Sequence, residues 1–190
     1  MKWWGWIIIA VAALLVVLLI RAIIKAYNNL VAGREKVKNG WAQIDVQLRR
    51  RFDLIPNLVE TVKGYATHEK EVLENVTMWR SRVAGAQTPA ESMDANNGLS
   101  GALGRLLVTM EAYPELKANE NFLKLQAELT EIENKIAFAR QFYNDTVQKY
   151  NLLVKSFPTN IIASMFHFTE EKFFEVDTAI RDGGAPKVSF

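Results

Sequence analysis

Hydrophobic positions along the chain fall into three regimes. The first is unbroken: from Trp6 to Ile20 no side chain is polar, and Trp3, Trp4 and the Ala22–Ile24 stretch extend the run to about 22 residues, or ~33 Å of helix. That length matches a hydrocarbon core of ~30 Å. Trp3, Trp4 and Trp6 stand where an aromatic belt anchors one interface, and Arg21 and Lys25 can reach the other. A cleaved signal peptide would have a shorter apolar core followed by a small-x-small site, whereas this run ends in Leu18-Leu19-Ile20-Arg21. The expectation is a retained transmembrane anchor over residues 1–25.

The second regime is periodic. Tyr27, Leu30, Val31, Val37, Trp41, Ile44 and Leu48 recur at helical spacing, interrupted by Arg34. With no breaker after the anchor, the membrane helix is expected to run on over 26–51, weakened locally by Gly33 and Gly40. Asp53 reads as an N-cap and Pro56 as a first-turn proline, which predicts a second helix over 54–84. Residues 85–97 are polar and read as a loop, and Leu99, Leu103, Leu106 and Met110 predict a third helix over 98–113. Gly98, Gly101 and Gly104 lie on one flank of it, suggesting close helix approach. The longest seam is Phe122, Leu125, Leu129, Ile132, Ile136, Ala139, Tyr143, Thr146, Tyr150, Leu153 and Phe157, which predicts a fourth helix over 119–157 with a coiled-coil-like face. Short connections then give an all-α fold: a transmembrane helix continuing into a long antiparallel four-helix bundle over 26–157.

The third regime is the 158–190 tail, where Ile161, Ile162, Met165, Phe166, Phe168, Phe173 and Phe174 crowd together. Either the tail folds back on the bundle end, or it docks on the bilayer or on a neighbouring subunit. The closing GGAPKVSF reads as a frayed end.

Composition narrows the chemistry. There is no cysteine, which excludes disulfides and thiolate ligands. Setting aside Lys2, Arg21 and Lys25 leaves 20 basic against 21 acidic side chains, so the remainder has no electrostatic footprint for nucleic acid. Five basic residues (Arg21, Lys25, Arg34, Lys36, Lys38) follow the anchor closely and only Lys2 precedes it. By the positive-inside rule the N-terminus is outside and the bundle cytoplasmic. His68-Glu69 opens an H-E-x-x-H pattern, but Val72 occupies the second histidine position. No glutamate precedes a histidine by three residues, as a di-iron bundle requires, and Glu128, Glu131 and Glu133 flank the seam. No phosphate loop or nucleophile elbow occurs. The expectation is a non-enzyme without cofactor, metal or small-molecule substrate. Arg49-Arg50-Arg51 reads as a basic complement to a helix C-terminus, or else as a partner or anion site.

The block YNNLVAGREKVKNGWAQIDVQLRRRFDLIPNLVETVKGYATHE (27–69) and a second block over 111–168 resemble the LemA family. The resemblance covers roughly residues 3–174. It implies a bacterial inner-membrane protein with a long helical bundle and no catalytic residues to transfer. Of the resembling residues, Asp53, Pro56 and Asn57 accompany the first expected turn and Tyr113-Pro114 the second. Arg140 and Asn144 sit on the fourth helix, where Arg140 is expected to pair with a carboxylate. The functional expectation is a membrane-anchored scaffold acting through protein–protein association, as a homo-oligomer or with a membrane protease or other envelope protein. The alternative is a lipid-organising protein acting through 161–174.

Overall fold

The computed structural model describes residues 3–66 and 68–175; Lys2 and the 182–190 end lie outside them. Every regular element described is helical: α1 Trp4–Lys63, α2 Lys70–Gly85, α3 Pro89–Met110, α4 Pro114–Lys117, α5 Glu120–Lys155 and α6 Thr159–Met165.

The apolar segment and the first periodic stretch form one helix, and the helix does not stop where the sequence suggested. Instead of capping a new helix, Asp53 lies inside α1 and faces Arg49 at 3.6 Å one turn back. Pro56 is an interior proline. An interior proline costs about 3 kcal/mol, through a lost backbone bond and a ring clash. Ile55 just before it and Leu58 and Val62 beyond it are buried, each stabilising by ~1.5–3 kcal/mol, and a break would turn the two later residues off the core. Burial therefore outweighs the proline, and α1 ends only at Lys63, after which the Tyr65 and Ala66 amides donate to the Val62 carbonyl.

The expected 85–97 loop also gives way to helix. Thr88 accepts from the Glu91 amide, the Glu91 carboxylate accepts from the Thr88 amide, and Pro89 opens α3 with its missing N–H at an end that needs no donor. Only residues 86–88 separate α2 from α3. On α5 the stripe is shifted from the expected seam: Val147 is fully buried where Thr146 was expected, and Phe157 stands in the turn after the helix, 81% exposed.

Packing divides the chain into two compact units. Among the described residues, one gathers 3–41 with Phe142–Phe173; the other gathers Ala42–Gln141 with Phe174 and Glu175. In the first unit, burial begins at Leu30 and centres on Val37, Tyr143, Val147 and Tyr150. Gly33 and Gly40 give the tyrosines room. A Cβ on Gly33 would stand 3.0 Å from the Tyr150 ring, and one on Gly40 would stand 3.4 Å from the Tyr143 backbone.

In the second unit, Ile55, Leu58, Val62, Leu99, Leu106 and Met110 belong to one apolar cluster with Leu116 and Phe122. α2 packs on α3. Of the three spaced glycines only Gly98 makes a close approach: a Cβ there would fall 2.4 Å from the Trp79 ring, while Gly101 and Gly104 face open space.

Candidate functional site

The apolar segment comes first along the chain and has the simplest geometry. From Trp6 to Ala22 every side chain is exposed, as are Trp3 and Trp4, whose rings stand 4.9 Å apart, and the flanking Arg21 and Lys25. α1 is the one helix among the described residues that is long and apolar enough to cross a membrane, and none of its most apolar window is buried. Soluble monomers rarely expose contiguous apolar patches beyond a few hundred Å². Such a surface fits a single-pass membrane protein.

The apolar tail residues divide into two groups. Ile162, Phe168 and Phe174 are buried; Ile161, Met165, Phe166 and Phe173 are exposed. In the first unit α6 ends at Met165, and His167 turns the chain with a left-handed φ of 58°. That turn places Phe166 and Phe168 on either side of it, both edge-on to Tyr27 with ring centroids at 4.8 and 5.8 Å. The Arg34 guanidinium lies 5.0 Å from the Phe168 ring centre.

The irregular stretch that follows is tied down through its backbone. Asn151 donates from Nδ2 to the Glu171 carbonyl at 2.8 Å, and its Oδ1 accepts from the Glu171 amide at 2.9 Å. The Tyr143 hydroxyl donates to the Lys172 carbonyl at 2.9 Å, and Lys155 pairs with Glu170 at 2.7 Å. Burial, reinforced by the Glu171 carboxylate, pushes the Tyr143 phenol up to about 12. The same causes raise Tyr150.

The second unit contains the feature the sequence reading missed. Arg49, Arg50 and Arg51 do not share a role. Arg49 and Arg50 are exposed, but Arg51 is 0% exposed and occupies a core position of the α1 stripe between Leu48 and Ile55. Its Nη1 donates to Ser100 Oγ at 2.6 Å and to Glu133 Oε1 at 2.8 Å; its Nη2 donates to Asn96 Oδ1 at 2.6 Å and to the Asn96 carbonyl at 3.2 Å. Asn96 is in turn oriented by donating to the Ser92 carbonyl at 2.7 Å. Spacing alone carried the signal: 48, 51, 55, 58 and 62 is one helical stripe, legible only if no break is placed at Asp53.

Among the described residues Arg140 forms no ion pair of the kind expected for it. Glu133 binds Arg51, and the Arg140 guanidinium lies 4.2 Å from the centre of the Phe174 ring, with its Nε and Nη2 buried and unbonded among the described residues. Burial and then the neighbouring Arg51 charge push Arg140 down to about 10, against the opposing pull of Glu133. Asn97 donates to the Glu175 carbonyl at 2.8 Å, a second tie on the chain beside Phe174.

An open groove of about 700 Å³ also marks the second unit. Val59, Ala66, Leu73 and Met78 give it an apolar lining, and Glu60, Lys63, Lys70 and Glu74 add charges of both signs.

Comparison with known proteins gives the family. The LemA family model matches residues 40–190. The magnetosome proteins MamQ 1 and MamQ 2 of Paramagnetospirillum magneticum are each 24% identical to the chain over 88% of it and 71% of their own length. Protein LemA of Metamycoplasma hominis is 24% identical over 80% of the chain and 74% of its own length. The family match begins after the apolar segment and runs to residue 190, past the Phe174 limit of the resemblance seen in the sequence. With more than half of its length matched by the family model, the chain belongs to the LemA family.

Proposed function

We propose that this protein is a non-enzymatic, membrane-tethered scaffold that works by association, with copies of itself and with other envelope proteins such as a membrane protease. The observation that carries the reading is the groove of about 700 Å³ beside α2, whose apolar lining and charges of both signs suit an amphipathic helix better than a small polar substrate. The antiparallel four-helix bundle belongs to this proposal. Gly33 meets Tyr150 and Gly40 meets Tyr143, an order that supports opposed directions for α1 and α5. So does placement in a bacterial inner membrane with the N-terminus outside, which the basic residues from Arg21 to Lys38 support.

The test is mass photometry of the detergent-solubilised full chain beside Met78→Glu, which puts a charge into the groove. Oligomers that weaken in the variant are expected. A monomer at every concentration, together with no crosslinked partner in native membranes, would contradict the proposal. The lipid-organising alternative draws its support from the exposed residues of α6.

A further inference from the structure

Around α6 the first unit exposes apolar side chains. Ile162 and Ala163 are buried inward, while the exposed side carries Asn160 and Ser164 on one flank and, on the other, Ile161 and Met165, one turn apart and 53% and 60% exposed. Phe157, in the turn before α6, and Phe166, immediately after it, add two exposed rings. Phe166 packs on Tyr27 with ring centroids at 4.8 Å. Tyr27 lies three residues beyond Ile24, the last residue of the apolar segment, or ~4.5 Å along the helix. The headgroup region on each face of a bilayer is about 5–8 Å deep. Phe166 therefore stands at the depth of that region whenever the apolar segment spans the bilayer.

We propose that the outward face of α6, with Phe157 and Phe166, docks in the interface of the same bilayer that α1 spans, as a second membrane contact on the C-terminal side of the chain. The inference rests on the membrane-spanning reading of residues 4–24. Three observations favour lipid as the occupant. The patch is continuous with a surface that already requires lipid. Arg21 and Lys25 lie on α1 within two turns of Tyr27 and favour anionic headgroups. Four side chains also form a surface far smaller than the ~800 Å² per partner of a specific protein interface.

The chain lacks cysteine, so single cysteines report without background. The full chain carrying Met165→Cys, or Ile161→Cys as a second reporter, is labelled with an environment-sensitive fluorophore. It is then reconstituted into phosphatidylcholine–phosphatidylglycerol vesicles containing lipids spin-labelled at shallow or deep acyl positions. Leu14→Cys reports on the anchor, and Lys36→Cys, an exposed α1 position ~18 Å beyond Ile24, reports on water. The expected result is strong quenching at 161 and 165 by the shallow label, placing them ~5–10 Å into the headgroup boundary, with Lys36→Cys unquenched. Reporters at 161 and 165 that behave like Lys36→Cys while Leu14→Cys is quenched would overturn the docking and leave the anchor intact. Loss of quenching at Leu14→Cys would overturn the membrane-spanning reading itself. Crosslinking of Met165→Cys between two copies, without quenching, would assign the face to a second copy and overturn lipid docking.

Discussion

The two units fasten distant parts of the chain by different means. In the first unit the residues after α6 are held by aromatic edges on Tyr27 and by Asn151 and Tyr143, whose side chains bond the backbone at Glu171 and Lys172. The bonds to backbone depend little on the identity of the residues they hold. In the second unit a cation sits in the core stripe of α1, bonded to two α3 side chains and to Glu133 of α5. A buried cation depends on all its partners at once, because removing one leaves uncompensated charge or an unsatisfied acceptor. The first arrangement tolerates change and yields locally, whereas the second should fail as a unit.

Substitution at Arg51 should expose that difference most strongly. Arg51→Ala removes a buried cation and leaves Glu133, Asn96 and Ser100 without their donor. A loss of about 3–5 kcal/mol is expected, read as a large fall in the thermal midpoint of the detergent-solubilised chain. The glycines of α3 sharpen the picture within the second unit. Gly98→Ala drives a methyl into the Trp79 ring and should cost about 1–3 kcal/mol. Gly101→Ala meets nothing within 4 Å and should instead stabilise the helix by up to about 1 kcal/mol, so the same scan should show opposite signs three residues apart.

In the first unit Asn151→Ala removes both ties to Glu171. Expected is a local loss of about 1–3 kcal/mol, seen as faster hydrogen exchange at the Glu171 amide with exchange around Arg51 unchanged. The smallest effect is alkaline. The Tyr143 phenol is raised from 10.0 to about 12, so between those values the folded chain holds a proton that the unfolded chain has released. Its contribution is complete below pH ~10 and disappears as pH rises towards 12. A denaturation series over that range should show stability falling with pH, and Tyr143→Phe should flatten this part of the slope.

Hydrophobic spacing carried much of this architecture and failed at identifiable places. The apolar segment is legible because its run of apolar side chains is unbroken, and most of the α5 stripe because its buried positions recur at helical spacing. Arg51 was not, because a period-based reading scores a cation as a boundary, and because Asp53 and Pro56, two and five residues after it, imitate a helix start. Pro56 stays helical since Ile55, Leu58 and Val62 need the same face. The start of α3 was present in the sequence as Thr88-Pro89-Ala90-Glu91, a capping box with proline at its first position, but lay within a stretch polar enough to read as loop. The tail residues were grouped because they are all apolar. The structure separates them by burial, which composition cannot do.

The central claim is that the exposed face of residues 4–24 lies in lipid while α1 continues into water without a break. Single cysteines stepped along α1 from residue 6 to residue 41, in full-length protein reconstituted into vesicles and treated with a water-soluble maleimide, test it directly. The account predicts protection from about residue 6 to residue 22 and labelling from about residue 28 onward wherever the side chain is exposed. Uniform labelling through the apolar segment would contradict it.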